Sequence, residues 1–193
     1  MLRENPLDAV MARMGPEDRM LFGKFAAPCV STLVAEKRAT EEYRLEFVRK
    51  ISEGGVPGED DLRRFPLAIA ELSRTAKRMK DETMADSIRV YFLLDHNLLL
   101  DKQAAAEHMF GIVRDGKSDC KAYLGIVGRT GAGAANVETE FGRKTYSTAF
   151  VNGVKEGDMV IAHFGYVVEK LTAEGRARIL EKVEAERKKL MSQ

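Results

Sequence analysis

The sequence is poor in almost everything that advertises a chemistry. Among 193 residues it has two cysteines, Cys29 and Cys120, far apart and without a CxxC pair. That excludes a disulfide framework and fits a reducing, cytoplasmic setting. It lacks an excess of either charge: Lys+Arg 31 against Asp+Glu 30 leaves +1. Dividing the chain at Cys120 changes little, with 12 basic and 9 acidic side chains in the last 74 residues and 19 and 21 before them. No overall electrostatic footprint for nucleic acid follows. No apolar run approaches the roughly 20 residues of a membrane span. The strongest cluster, Val90 to Leu94 with Leu98 to Leu100, is broken by Asp95-His96-Asn97 and reads as a buried helix. The first residues, Met1 to Pro6, lack the apolar core of a signal peptide. No Ser-His-Asp order and no paired carboxylates with a specific signature occur, so the sequence gives no sign of an enzyme.

What is present is an ordinary globular composition, 45% hydrophobic and 32% charged, long enough for one domain or two small ones. Residues 6–110 read as helical. Pro6 suits a first helical turn, and Leu7, Val10, Met11 and Met14 form a stripe ended by Gly15-Pro16. A second helix begins near Pro16-Glu17-Asp18 and is expected to stop at Pro28, with a further helix from Cys29 to Ser52. Gly54-Gly55-Val56-Pro57-Gly58 breaks the pattern. A helix from Glu59 restarts or kinks at Pro66, and Thr83 or Asp86 caps the next, which finishes near Phe110. The methionines in this half read as core filling.

After Arg114-Asp115-Gly116-Lys117-Ser118 the pattern turns to strands: Ala122 to Val127, Asn136 to Phe141, Lys144 to Phe150, Met159 to His163 and Tyr166 to Val168. A helix follows, capped by Thr172, with Ile179, Leu180 and Val183 on one side and Arg187-Lys188-Lys189 at its C-terminal end. The expected fold is α+β: a helical bundle at 1–113, a connector at 114–121, and a small OB-like β-barrel with a C-terminal helix at 122–193.

Several constellations invite chemistry and do not sustain it. Gly128 and Gly133 have the spacing of a phosphate-binding loop, but Ala134-Ala135 replace its lysine and hydroxyl residue, and a strand pattern follows. A flexible inter-strand turn is expected there. His96 and His108 lie about 120° apart on a helix, so they share no metal-binding face; His96 reads as a core histidine. Cys29, just after Pro28, is placed to start a helix, where a thiol's pKa is lowered.

The most informative segment is 154–171. A Lys155-Glu156-Gly157-Asp158 turn delivers an apolar strand that ends on His163. Phe164-Gly165-Tyr166 and a second apolar run follow at once. With Leu124-Gly125-Ile126-Val127-Gly128 and Phe141-Gly142-Arg143-Lys144-Thr145-Tyr146-Ser147 upstream, residues about 123–190 resemble the HypC/HupF family of [NiFe]-hydrogenase assembly chaperones. The resemblance implies a barrel that docks on a HypD-like protein or a hydrogenase large-subunit precursor. It implies no stably bound cofactor, only an iron fragment carried transiently. In the family a cysteine after the initiator methionine and the strand-end histidine carry that role. His163 matches the histidine, whereas Tyr123 stands at the cysteine position and Val127 at a family proline. The metal candidates are therefore Cys120 and His163, and the implied partner-binding residues are Tyr123, His163, Phe164, Gly165 and Tyr166. Expected partners are protein, with self-association as a further option, and neither nucleic acid nor membrane. The alternative expectation is an accessory or structural subunit of a hydrogenase-type complex that has lost metal handling.

Overall fold

The structure, a computed structural model, describes residues 6–80, 82–109 and 120–192, without the side chains of 6, 7 and 105–109. The chain forms two compact units, 1–91 and 92–193.

The first unit is helical: α1 (Pro6–Arg13), α2 (Pro16–Ala35), α3 (Glu41–Ser52), α4 (Glu59–Arg63), α5 (Pro66–Arg78) and α6 (Met84–Val90). Its core is built on phenylalanines, with Phe65 meeting Phe22 at 6.2 Å and Phe47 at 6.0 Å between ring centroids. Gly23 lets α2 approach closely, because a Cβ there would lie 2.6 Å from Pro57 and 2.8 Å from Ile51. Thr40 and Thr83 cap α3 and α6 by accepting the Tyr43 and Asp86 amides, which settles the capping of α6 on Thr83.

The expected stop at Pro28 is corrected. Helix α2 runs through it to Ala35. Proline removes one backbone donor, but Phe25, Ala26, Ala27, Val30 and Leu33 on either side are buried, and that burial outweighs one lost hydrogen bond. The real break is at 36–40, where Lys37 adopts φ 59° and the Arg38 and Ala39 amides return to the Leu33 carbonyl. Cys29 is thus inside a helix rather than at its start, and its Sγ lies 3.9 Å from the Phe25 carbonyl. No helix N-terminus is there to activate it.

A π-helical turn (Tyr91–His96) begins on the last residue of the first unit; the second unit takes it up at Phe92, continues as α7 (Asn97–Met109), and then forms five strands and a helix. These are β1 (Ala122–Gly131), β2 (Ala134–Thr139), β3 (Gly142–Ser147), β4 (Met159–His163), β5 (Tyr166–Leu171) and α8 (Ala173–Met191). The strands close on themselves in the order β1-β2-β3-β5-β4, with β4 returning to β1. All pairs are antiparallel except β3–β5, which meet at Ser147 and Tyr166. Val127, Ala135, Val137, Tyr146, Val160, Ala162 and Val167 fill the interior. Gly125 permits this tight closure: a Cβ would sit 2.4 Å from Val137 and 2.8 Å from the Glu138 carbonyl. The class is α+β, with helices first, a closed five-stranded sheet and a C-terminal helix.

The glycine-rich stretch 128–135 is ordered strand and hairpin. Gly128 is a bulge between Val127 and Arg129, and Ala132 and Gly133, both at positive φ, make the two-residue turn joining β1 to β2. The expected inter-strand turn is present and is a tight one, because pairing through Gly131 and Ala134 leaves only two residues to turn. Phe150 lies beyond β3 and stacks on Tyr166 at 4.5 Å. Helix α8 is capped by Thr172, which accepts the Gly175 amide at 3.0 Å, and buries Ile179 and Val183. Among the described residues no helix is long and apolar enough to cross a membrane.

Candidate functional site

Strand β4 carries the site because its two faces look at different surroundings. Val160 and Ala162 point into the closed sheet, so His163 points outward. The strand arrives there through the Gly157-Asp158 turn. Gly157 has φ 84°, and Asp158 Oδ2 accepts the Lys155 amide at 2.8 Å and pairs with Lys170 at 2.8 Å. The lysine holds the Asp158 carboxyl below its usual range. The Asp158 carbonyl and Gly157 amide also bond Val127 at 2.9 and 2.8 Å, pinning the turn to β1.

His163 is fully buried. Its Nε2–H donates to the Cys120 carbonyl at 2.7 Å, since a carbonyl only accepts. This orients the ring and places a proton on Nε2. Phe92 lies 5.5 Å away and His96 5.3 Å away, the latter edge-on at 86°. Phe92 also meets His96 at 5.4 Å. Burial pushes the His96 pKa down to about 4, with a hydrogen bond to Asn97 pulling weakly the other way, so His96 is neutral at ordinary pH.

Asn97 ties this cluster to the sheet. Its amide donates to the Ala122 carbonyl at 2.8 Å and its carbonyl accepts the Ala122 amide at 3.0 Å. It therefore acts as a strand neighbour for the first residue of β1. Ala122 is itself the register partner of His163. The π-helical turn explains why adjacent residues do both jobs: the wider i→i+5 turn brings both His96 and Asn97 round towards the side of Phe92.

The other candidate feature is an open groove of about 330 Å³ lined by Tyr123, Lys144, Thr145, Tyr146, Phe164 and Gly165. The β4–β5 turn consists of Phe164 and Gly165, at φ 42° and 83°. Two positive φ values are what a two-residue hairpin requires, but a phenylalanine in the left-handed region is uncommon and strained. The Gly165 carbonyl accepts the Ser147 amide at 2.8 Å, locking the turn to the end of β3. Tyr123 also contacts Phe141 at 4.9 Å, a ring that is 64% exposed.

The structure thus gathers Tyr123, Phe164 and Gly165 on the groove. His163 lies on the opposite face of its strand, and Tyr166 packs on Phe150. Cys120 reaches His163 through its backbone carbonyl. His108 falls where side chains are outside the description. Sequence reasoning missed Phe92, His96 and Asn97 as neighbours of His163. The interruption of an apolar helix by Asp95-His96-Asn97 was the available signal. Compared with known protein families and with curated proteins, the chain matches none.

Proposed function

We propose that this protein is a HypC-like, non-catalytic assembly factor for a metalloenzyme, acting in [NiFe]-hydrogenase maturation. It docks on a hydrogenase large-subunit precursor or a HypD-like protein, and its closed sheet is a small barrel of OB type. The strand order and the single parallel pair support that fold reading. The segments carrying the family resemblance lie together: the Gly157-Asp158 turn, β4 ending on His163, the Phe164-Gly165 hairpin and the helix after it.

One observation carries the docking role. Phe164 is held at φ 42° in a turn that glycine would fill without strain, and its position lines a groove with Tyr123 and Tyr146. Backbone strain of this kind persists where the side chain has a use. Aromatic side chains in a groove beside Lys144 make an anchor of the sort protein interfaces favour.

The test is an anaerobic pull-down of the tagged chain from its native host, with bound proteins identified by mass spectrometry. Recovery of a large-subunit precursor or HypD-like protein, reduced at least about tenfold by Phe164→Ala or Tyr123→Ala, is the expected result. Tyr123 also favours a second reading, because it replaces the family's thiolate and lines the groove itself. On that reading the chain is an accessory subunit, and it would be recovered with a mature enzyme at fixed stoichiometry.

A further inference from the structure

We propose that His96 and His163 are paired ligands of a buried site for a single borderline transition-metal ion of the Zn²⁺ class. The proposal stands on geometry within the second unit and does not rest on the docking reading.

The two imidazoles come from elements distant in sequence, the π-helical turn and the end of β4, yet their centroids are 5.3 Å apart. One nitrogen of each ring lies within 4.8 Å of the other. Metal–nitrogen bonds of about 2.0–2.1 Å bring two nitrogens on one ion to about 4 Å or less. Small ring rotations supply that closure. The edge-on arrangement, 86° between planes, suits ligation better than face-to-face stacking, because ring nitrogens lie on edges.

The supporting contacts have the form that metal-binding histidines take. His163 donates Nε2–H to a backbone carbonyl, which orients the ring as such contacts orient ligating histidines, with Nδ1 assigned to the ion. Phe92 flanks both imidazoles and forms an apolar wall. Two neutral nitrogen donors suit zinc, copper or nickel rather than magnesium or calcium. The π-helical turn that places His96 is itself a type of irregularity that recurs at functional sites. Two protein ligands leave at least two positions of a tetrahedral ion open, which describes a site that exchanges its metal rather than a closed structural one.

The test uses the full chain, stripped with chelator. Co²⁺ is titrated while visible d–d absorption is followed, Zn²⁺ is then used to displace it, and long-range ¹H–¹⁵N spectra report each imidazole nitrogen. The expected result is one ion per chain, with His163 Nδ1 and one His96 nitrogen shifting together. His96→Phe keeps an apolar ring beside Phe92, and its fold is verified by thermal unfolding. This variant should bind at least about 100-fold more weakly. A folded wild-type chain with no stoichiometric Co²⁺ or Zn²⁺ binding overturns the site. Undiminished binding by folded His96→Phe also overturns it. Either failure leaves the docking reading untouched, because the pull-down needs no metal.

Discussion

Phe164 is placed where glycine would be more comfortable, and the cost is measurable. Phe164→Gly removes a left-handed conformation worth about 1–2 kcal/mol to a residue with a Cβ, against some lost ring contact. The variant is expected to unfold at equal or slightly higher urea concentration than the wild type while losing the captured protein. A variant that is both less stable and equally competent in the pull-down would mean the ring serves packing alone. His96 offers a second residue-scale outcome. Its folded pKa of about 4 lies below the ordinary histidine value, so the unfolded chain takes up a proton the folded chain refuses. The contribution is fully present above about pH 6.5, is lost as pH falls through the interval to 4, and levels off below it. At most about 3 kcal/mol is involved. Urea unfolding at pH 7 and pH 4.5 measures it. The wild type should lose more stability than His96→Phe over that interval, and parallel losses would show that His96 is not shielded from protonation.

At the scale of elements, α7 is tied to the start of β1 by the Lys121–Asp101 ion pair and by Asn97. Asn97 satisfies both backbone groups of Ala122, and Ala122 is buried. Asn97→Leu preserves bulk while leaving a buried N–H and C=O unsatisfied, so it is expected to cost about 2–4 kcal/mol. Urea midpoints with unchanged slope would register this, and amide exchange at Ala122 should accelerate selectively. Elements of this kind divide sharply in how readable they are from sequence. The Thr83 and Thr172 caps, the Gly157-Asp158 turn and β4 were legible because each is decided within four or five residues. Continuation of α2 through Pro28 was not legible, since tertiary burial of Phe25, Val30 and Leu33 decides it. The same holds for the glycine-rich hairpin: a turn between strands was expected, but its shortness is decided by cross-strand pairing up to Gly131 and Ala134. Nor could the approach of His96 to His163 be read, because it depends on how a helix registers against a sheet.

For the molecule as a whole, composition and pattern were enough to foresee helices first, strands second and a final helix. They could not foresee that the sheet-bearing unit begins at 92, well ahead of its first strand. The pattern of apolar residues gives a helix the same look whichever unit it serves. A chain beginning at residue 92 keeps Phe92, His96 and Asn97, whereas one beginning at residue 120 keeps only the strands and α8. The longer piece is expected to show dispersed amide spectra and a cooperative urea transition. The shorter should unfold at clearly lower urea or remain molten, since it loses the groups that cover His163 and hold Ala122. Equal stability of the two would mean that the π-helical turn and α7 add nothing to the sheet.

That π-helical turn, six residues from Tyr91 to His96, also has a bearing on what changes the chain can tolerate. A wide turn is a helix carrying one residue too many. Deleting Leu93 would let the backbone relax into regular α-helix, with better local hydrogen bonding. Each residue advances a helix by about 100°, so the deletion would shift which neighbours share the Phe92 side. A change in the length of this segment is therefore of a different kind from a substitution: shortening the gene by a single codon here would give a tidier helix and separate two functions now held on adjacent side chains.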